Sequence, residues 1–209
     1  GVMHIDLNSC FASVEQQANP FLRGRPLAVA AYNSPGGCIL AASIEAKCFG
    51  VKTSMRVKDG RRLCPRLLVI TPDPDKYRQV HHQLYRLLTH YAENPIPKSI
   101  DEFVLRPACP TEALRAQADE IKARIKTEIG EWLTVSVGLA PNRFLAKLAS
   151  SLQKPDGLVQ IDQNNYLNVY SRLKLTDLPG IAERNQLRLN RFGIKSVLDF
   201  YTADLPHLK

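Results

Sequence analysis

The chain has 209 residues, with 28 Lys and Arg against 20 Asp and Glu, a net charge of +8, and 44% hydrophobic residues. That apolar content excludes intrinsic disorder, and the longest apolar stretches, such as residues 26–31, fall far short of the roughly 20 residues a bilayer helix needs. The length suits one large core or two or three small ones.

In chain order, residues 2–6 read as a short strand, and 10–17 as a helix closed by Asn19-Pro20. Residues 26–31 are a buried strand. A turn at Asn33-Ser34-Pro35-Gly36-Gly37 leads into a second strand at 38–40, and 42–48 is helical up to Gly50. A basic helix ends at Cys64-Pro65, a strand follows at 67–70, and Thr71-Pro72-Asp73-Pro74 marks a junction. Apolar spacing predicts a long helix over 75–93, a strand from Ile100 through Phe103-Val104-Leu105, and an amphipathic helix carried by Leu114, Ala118, Ile121, Ile125 and Ile129. A strand at 133–139, a helix at 143–152, a turn at Lys154-Pro155-Asp156-Gly157 and a strand at 158–161 complete the pattern. The expectation is a small α/β sheet with helices against it, a smaller basic insertion and a helical tail.

The charge is uneven. Residues 1–18 carry −2, whereas 19–73 carry nine basic and three acidic side chains, with Arg56, Lys58, Arg61, Arg62 and Arg66 bunched near the end. A solvated surface shows such a block too; the functional reading is a block poised over a polyanion. Five cysteines, an odd number without a C-x-x-C pair, argue against a disulfide framework or a zinc site and suit a reducing cytoplasm. No signal peptide opens the sequence.

Asp6 closes the first strand, and Asp101 and Glu102 form an adjacent pair on a later one. Strand side chains alternate, so Asp and Glu side by side cannot both enter an apolar core. They read either as a solvated pair or as carboxylates that join Asp6 at one sheet edge in a two-metal magnesium site.

Met3-His4-Ile5-Asp6-Leu7-Asn8-Ser9-Cys10-Phe11-Ala12-Ser13-Val14-Glu15 resembles the opening motif of the Y-family, translesion DNA polymerases. Ser99-Ile100-Asp101-Glu102 is similar to their central catalytic motif, and residues 136–150, continuing to Lys154-Pro155-Asp156-Gly157, to their third. The three stand in the family's order. The resemblance implies an α/β (α+β) palm with a ferredoxin-like antiparallel sheet from residues 1–18 and 74–164, a small α/β fingers insertion at 19–73, and the start of a helical thumb at 165–209. It implies Asp6, Asp101 and Glu102, with the Leu7 carbonyl, as ligands of two Mg²⁺ ions, with Mn²⁺ as a substitute. Residues 7–11 would face the nucleotide, with Phe11 as a steric gate that leaves no room for a ribose 2′-hydroxyl. The basic fingers would cover the triphosphate.

Where DinB-like relatives carry Thr, Tyr and Arg toward the triphosphate, this chain has Ala41, Ile44 and Lys47. The first two offer no side-chain hydrogen bond, and Lys47 supplies a point charge rather than a bidentate fork. The 37–41 stretch looks closer to the UmuC-like branch. Lys147 lies four residues after Arg143, on the same helix face, and both suit polyphosphate or DNA binding. His81, His82 and His90 read as surface or satisfied residues, and His4 as structural.

Residues 175–198 resemble a helix-hairpin-helix, whose Gly-containing turn offers backbone N–H groups to a DNA phosphate. Gly180 occupies the turn, Ala182 replaces the usual second glycine, and Arg184, Arg188 and Arg191 add attraction.

The implied activity is low-fidelity, template-directed addition of dNMP to a primer on primer-template DNA. The expected protein is a cytoplasmic monomer without membrane contact, whose clamp or recombinase contacts lie in a C-terminal region. The family carries a further little-finger domain after the thumb, so a catalytic fragment with weak DNA binding and poor activity is expected. The alternatives are a non-catalytic relative acting as a DNA- or protein-binding scaffold and, more distantly, a nucleotide cyclase.

Overall fold

The computed structural model describes residues 1–204, so the last five residues of the expected thumb segment lie outside the described residues. The chain begins with β1 (Val2–Leu7), whose six residues are buried apart from the half-buried Asp6. Then come α1 (Cys10–Ala18), β2 (Leu27–Ala30), β3 (Ile39–Ala42), α2 (Ile44–Cys48), α3 (Val57–Leu63) and β4 (Leu68–Ile70). The next stretch holds α4 (Pro74–Leu88), β5 (Ile96–Pro97), β6 (Glu102–Leu105), α5 (Leu114–Arg124), β7 (Val135–Ala140), α6 (Arg143–Leu152) and β8 (Leu158–Gln160). The tail holds α7 (Tyr166–Arg172), α8 (Glu183–Arg191) and α9 (Val197–Thr202). Among the described residues no helix is long and apolar enough to cross a membrane.

Five strands form the main sheet in the order β5-β6-β1-β7-β8, with β1 at its centre. The expected antiparallel pairing holds for β5, β6, β1 and β7, whereas the β7–β8 edge is parallel because α6 crosses over between them. Strand alternation splits the core into two layers. Met3, Ile5 and Leu7 face α4 and α5, with Leu84, Leu88, Ile121 and Ile125 fully buried there. Val2 faces the other way, toward α6 and the tail, packing with Ala146, Leu148, Ala149 and Leu175. Each fully buried aliphatic side chain of this kind stabilises the fold by about 1.5–3 kcal/mol. His4 and Asp6 share that second face, which is how a strand through the core can present polar groups to a site.

The insertion builds its own sheet, ordered β3-β2-β4, around Ala28, Ile39, Val51, Val57 and Leu67. It is clasped to the main body. The Gln16 Nε2 donates to Glu45 at 3.1 Å, and Trp132 Nε1 donates to Gln16 Oε1 at 3.1 Å. The Arg23 guanidinium lies 5.5 Å over the Trp132 ring and donates to Glu131 and to the Gln16 carbonyl.

Several elements differ from the sequence expectation. Ala42 belongs to β3 rather than to the following helix, which starts only after Ser43 caps it. The long helix stops at Leu88, not 93; tight turns then keep Tyr91 and Ala92 on the buried face, so the apolar spacing outlives the helix. The helix from Leu114 ends at Arg124 and continues as a π-turn over Ile125–Ile129. The two-residue strand β5 is too short for a periodic signal.

Candidate active site

The β1–β6 register places Asp6 opposite Glu102, and the Leu7 amide donates to the Asp101 carbonyl at 2.9 Å. Asp101 sits just before β6, fixed by the Ser99 hydroxyl, which donates to its Oδ1 at 2.6 Å and accepts from the Glu102 amide at 3.1 Å. The strand entry is pinned from α4: His81 Nδ1 lies 2.9 Å from the Ile100 carbonyl, and its ring stacks on Phe103 at 4.9 Å. A carbonyl only accepts, so this nitrogen carries the proton.

Two lysines pair with two of the three carboxylates. Lys154 Nζ stands 2.7 Å from Asp6, and Lys147 Nζ donates to both oxygens of Glu102, at 2.7 and 3.0 Å. Burial pushes the Asp6 carboxyl above its ordinary pKa, with Lys154 opposing and Asp101 and Glu102 reinforcing the rise. Burial also works to raise Glu102, but the Lys147 hydrogen bonds and charge, with His4, hold it below the usual range. His4 is buried, its Nδ1 3.1 Å from the Ser150 hydroxyl, and desolvation keeps it below the ordinary imidazole value. Its other nitrogen, Nε2, lies 3.5 Å from Glu102 Oε2, so the ring stands between α6 and that carboxylate.

Asp6 and Asp101 line a cleft of about 210 Å³ together with Ser9, Cys10, Phe11, Ala41 and Lys47. Asp6 and Lys147 also border a second groove of about 430 Å³ that runs to Gly180 and Ala182. Asp6 thus stands where the two clefts meet. Glu102 lies opposite Asp6 across the β1–β6 pair and turns to Lys147, while Asp101, just before β6, shares the first cleft with Asp6. The expected convergence of three carboxylates is not preassembled: among the described residues no three His, Cys, Asp or Glu side chains gather closely enough to hold one ion. The donor chemistry nevertheless suits a hard divalent cation, since carboxylate oxygens on adjacent strands already hold positive charge at 2.7 Å.

Ser9 precedes α1 in the left-handed region, at φ 51°, a conformation costing a non-glycine residue about 1–2 kcal/mol. It accepts a 2.8 Å hydrogen bond from Lys47 Nζ, whose pKa burial lowers. Phe11 stacks on Tyr77 with ring centres 4.3 Å apart and planes 12° from parallel. Tyr77 is locked in turn: its hydroxyl donates to Glu15 at 2.9 Å and accepts from the Asp73 amide at 3.1 Å. Cys10 is buried, which pushes its thiol pKa up and leaves it unreactive.

Several expected residues stand elsewhere. The Asn8 side chain is spent internally: its Oδ1 accepts from Thr134 Oγ1 and the Asp156 amide, and its Nδ2 donates to Ser136 Oγ. Ile44 does not line the cleft, because it starts α2 beyond the end of β3. Of the nine basic residues in 19–73, Lys47 alone reaches the cleft, so the basic block does not cover it. Arg143 is exposed at the start of α6 and lines neither cleft. In the tail, Gly180 takes φ 92° and Ala182 caps α8, with Arg184 on the outer side of the turn. The hairpin's first helix is a single 3₁₀ turn over Leu175–Asp177. Sequence reading missed Lys154, Leu40 and Thr53, which all line the cleft. Lys154 hid inside a Lys-Pro-Asp-Gly turn, and only strand alternation next to buried Ile39 hinted that Leu40 faces out.

Comparison with known proteins bears on this arrangement. The model of the impB/mucB/samB family matches residues 5–151. DNA polymerase IV of Bacillus velezensis is 37% identical over the whole of this chain and 50% of its own length. DinB from Sulfolobus solfataricus superimposes with a TM-score of 0.88 at 30% identity, covering 99% of this chain and 61% of that one. The insertion ternary complex of Dbh DNA polymerase gives 0.90 at 29% identity, covering 99% and 62%. The chain therefore spans about half the length of the curated relatives it matches. The family match, the sequence identity over the whole chain and the superposition of the fold agree, and this chain belongs to the impB/mucB/samB family of Y-family DNA polymerases, with their palm, fingers and thumb-like architecture.

Proposed function

We propose that this chain catalyses template-directed transfer of a dNMP to a primer 3′-hydroxyl, with release of pyrophosphate, in the low-fidelity, damage-tolerant manner of translesion synthesis. The observation that carries this reading is the position of Asp6 at the junction of two clefts, one beside an aromatic ring and lysines, the other beside a hairpin with a left-handed glycine. The first suits a nucleotide and the second a primer end.

Asp6, Asp101 and Glu102, with the Leu7 carbonyl, would hold two Mg²⁺ ions or Mn²⁺ in their place. Bound there, the ions would neutralise phosphate charge and activate the attacking oxygen. The chain's own residues do the rest. Lys47 and Lys154 present positive charge at the cleft, and the unpaired N–H groups at the start of α1 face the same space, an arrangement suited to a triphosphate. Phe11, backed by Tyr77, sets a flat wall for the sugar. Leu40, Ala41 and Ala42 leave a roomy apolar wall over the base, consistent with weak discrimination. Cys10 is held protonated, and His4 lines neither cleft, with Nδ1 on Ser150 and Nε2 3.5 Å from Glu102, so neither serves as a general base.

Ala41 and Ile44, which cannot hydrogen-bond a phosphate, favour a second reading, a DNA-binding scaffold without catalysis. Primer extension with Mg²⁺ and dNTPs separates the two. The wild-type chain should extend the primer, and the Asp101→Ala/Glu102→Ala variant should be slower by at least about 1000-fold, because several kcal/mol of charge stabilisation is lost. Equal extension by both proteins would overturn the catalytic reading.

A further inference from the structure

The cleft leaves most of the fingers charge unexplained. Arg56, Lys58, Arg61, Arg62 and Arg66 are all exposed, and none forms an ion pair among the described residues. By contrast Lys76, Lys122, Arg124, Lys126, Lys147 and Lys154 are each paired. Asp59, the one acidic residue of α3, is half-buried and forms no ion pair among the described residues either. Lys58, Arg61 and Arg62 stand at positions i, i+3 and i+4 and so share a face of α3.

This ridge starts at the rim of the cleft. Thr53 lines the cleft. The next residues run beside β3: the Ser54 amide donates to the Ile39 carbonyl, the Ile39 amide to the Met55 carbonyl, both at 2.8 Å, and Arg56 bridges to Cys38. From Arg56 to Arg62 the helical rise spreads the cations over roughly 9 Å. An exposed ring stands beside them. Tyr32 is 72% exposed, and its neighbour Asn33 accepts a hydrogen bond from Arg61 at 3.4 Å.

A triphosphate is compact and needs an enclosed seat, whereas this surface is open and linear, so it suits an extended polyanion. An aromatic face beside unpaired cations is what a single strand requires, with phosphates on the cations and a base on the ring. A duplex offers phosphates but no free base face. We propose that the outer face of the fingers, built from Arg56, Lys58, Arg61, Arg62 and Tyr32, binds single-stranded DNA, and that this strand is unpaired template near the cleft. Only the identity of the strand as template rests on the polymerase reading.

The test is fluorescence anisotropy of a short dye-labelled oligo(dT) with the full chain, in the absence of metal and dNTP, over a range of salt. Its outcome is thereby independent of primer extension. The Lys58→Glu/Arg61→Glu/Arg62→Glu variant should bind at least about tenfold more weakly, and its plot of log affinity against log salt should be flatter by about 2, for three lost contacts at roughly 0.7 each. Tyr32→Ala should bind oligo(dT) at least about fivefold more weakly, with Tyr32→Phe close to wild type. A blunt duplex should be insensitive to Tyr32→Ala. Unchanged oligo(dT) affinity and slope in the charge variant would overturn the site. So would equal losses on oligo(dT) and duplex for Tyr32→Ala, and that single variant decides the matter if the triple variant does not fold.

Discussion

At the residue scale, Asn8 shows how a side chain can serve a site without facing it. Its three hydrogen bonds reach residues 126 to 148 positions away and tie the end of β1 to β7 and to the turn that carries Lys154. Asn8→Ala leaves the buried partners unsatisfied and should destabilise the chain by about 1–3 kcal/mol in chemical denaturation. It should also weaken nucleotide binding, since Lys154 loses its support; a variant as stable as wild type would contradict this role. The motif around Asn8 was legible, but a motif places residues in a row and cannot say which of them point inward. The same limit explains Lys154. Lys147 is visible as a helix-face charge, whereas the proximity of Lys154 to Asp6 exists only once a turn after α6 folds back beside β1.

At the element scale, the approach of α6 to the sheet positions Lys147 and Ser150 over the polar face of β1. Gly138 on β7 permits it: a Cβ there would lie 2.0 Å from the Ala146 carbonyl oxygen and 2.4 Å from the Ser150 nitrogen. Both obstacles are backbone, so Gly138→Ala must displace the helix, at about 1–3 kcal/mol, seen as a lower denaturation midpoint. The start of α4 yields a pH prediction. Asp73 caps this helix, and its carboxyl is held below the ordinary value chiefly by the Lys76 backbone hydrogen bond. A depressed carboxylate stabilises the fold above its unfolded pKa, near 3.9, and that contribution is lost as pH falls through the lower folded value. Amide protection in the first turn of α4, relative to the intrinsic exchange rate at each pH, should therefore fall below about pH 4, whereas Asp73→Asn should show little pH dependence there. Helix and strand positions were largely legible because apolar periodicity reports burial. The early end of α4 was not, because Tyr91 and Ala92 stay buried after the helix has stopped.

At the scale of the whole molecule, the fingers are fastened to the main body by an apolar seam, Ala12 of α1 against Leu27, Val29 and Ala41, and by polar contacts around it. Among the polar contacts Arg23 makes the most, through Glu131, the Gln16 and Gln17 carbonyls and the Trp132 ring. Arg23→Ala should speed limited proteolysis in the 19–26 and 71–73 connections while leaving the main-body core intact; an unchanged cleavage pattern would show that the fingers are held by other means. The sequence by itself determined the class of fold and the family and singled out three candidate carboxylates, because periodicity and short motifs are local properties of the chain. Only the tertiary structure decided that Glu102 faces Lys147 while Asp101 faces the cleft, that Asn8 braces rather than binds, and that the basic block looks outward. Each of those directions is set by strand register and by helices packed from distant parts of the chain, and no local spacing encodes them.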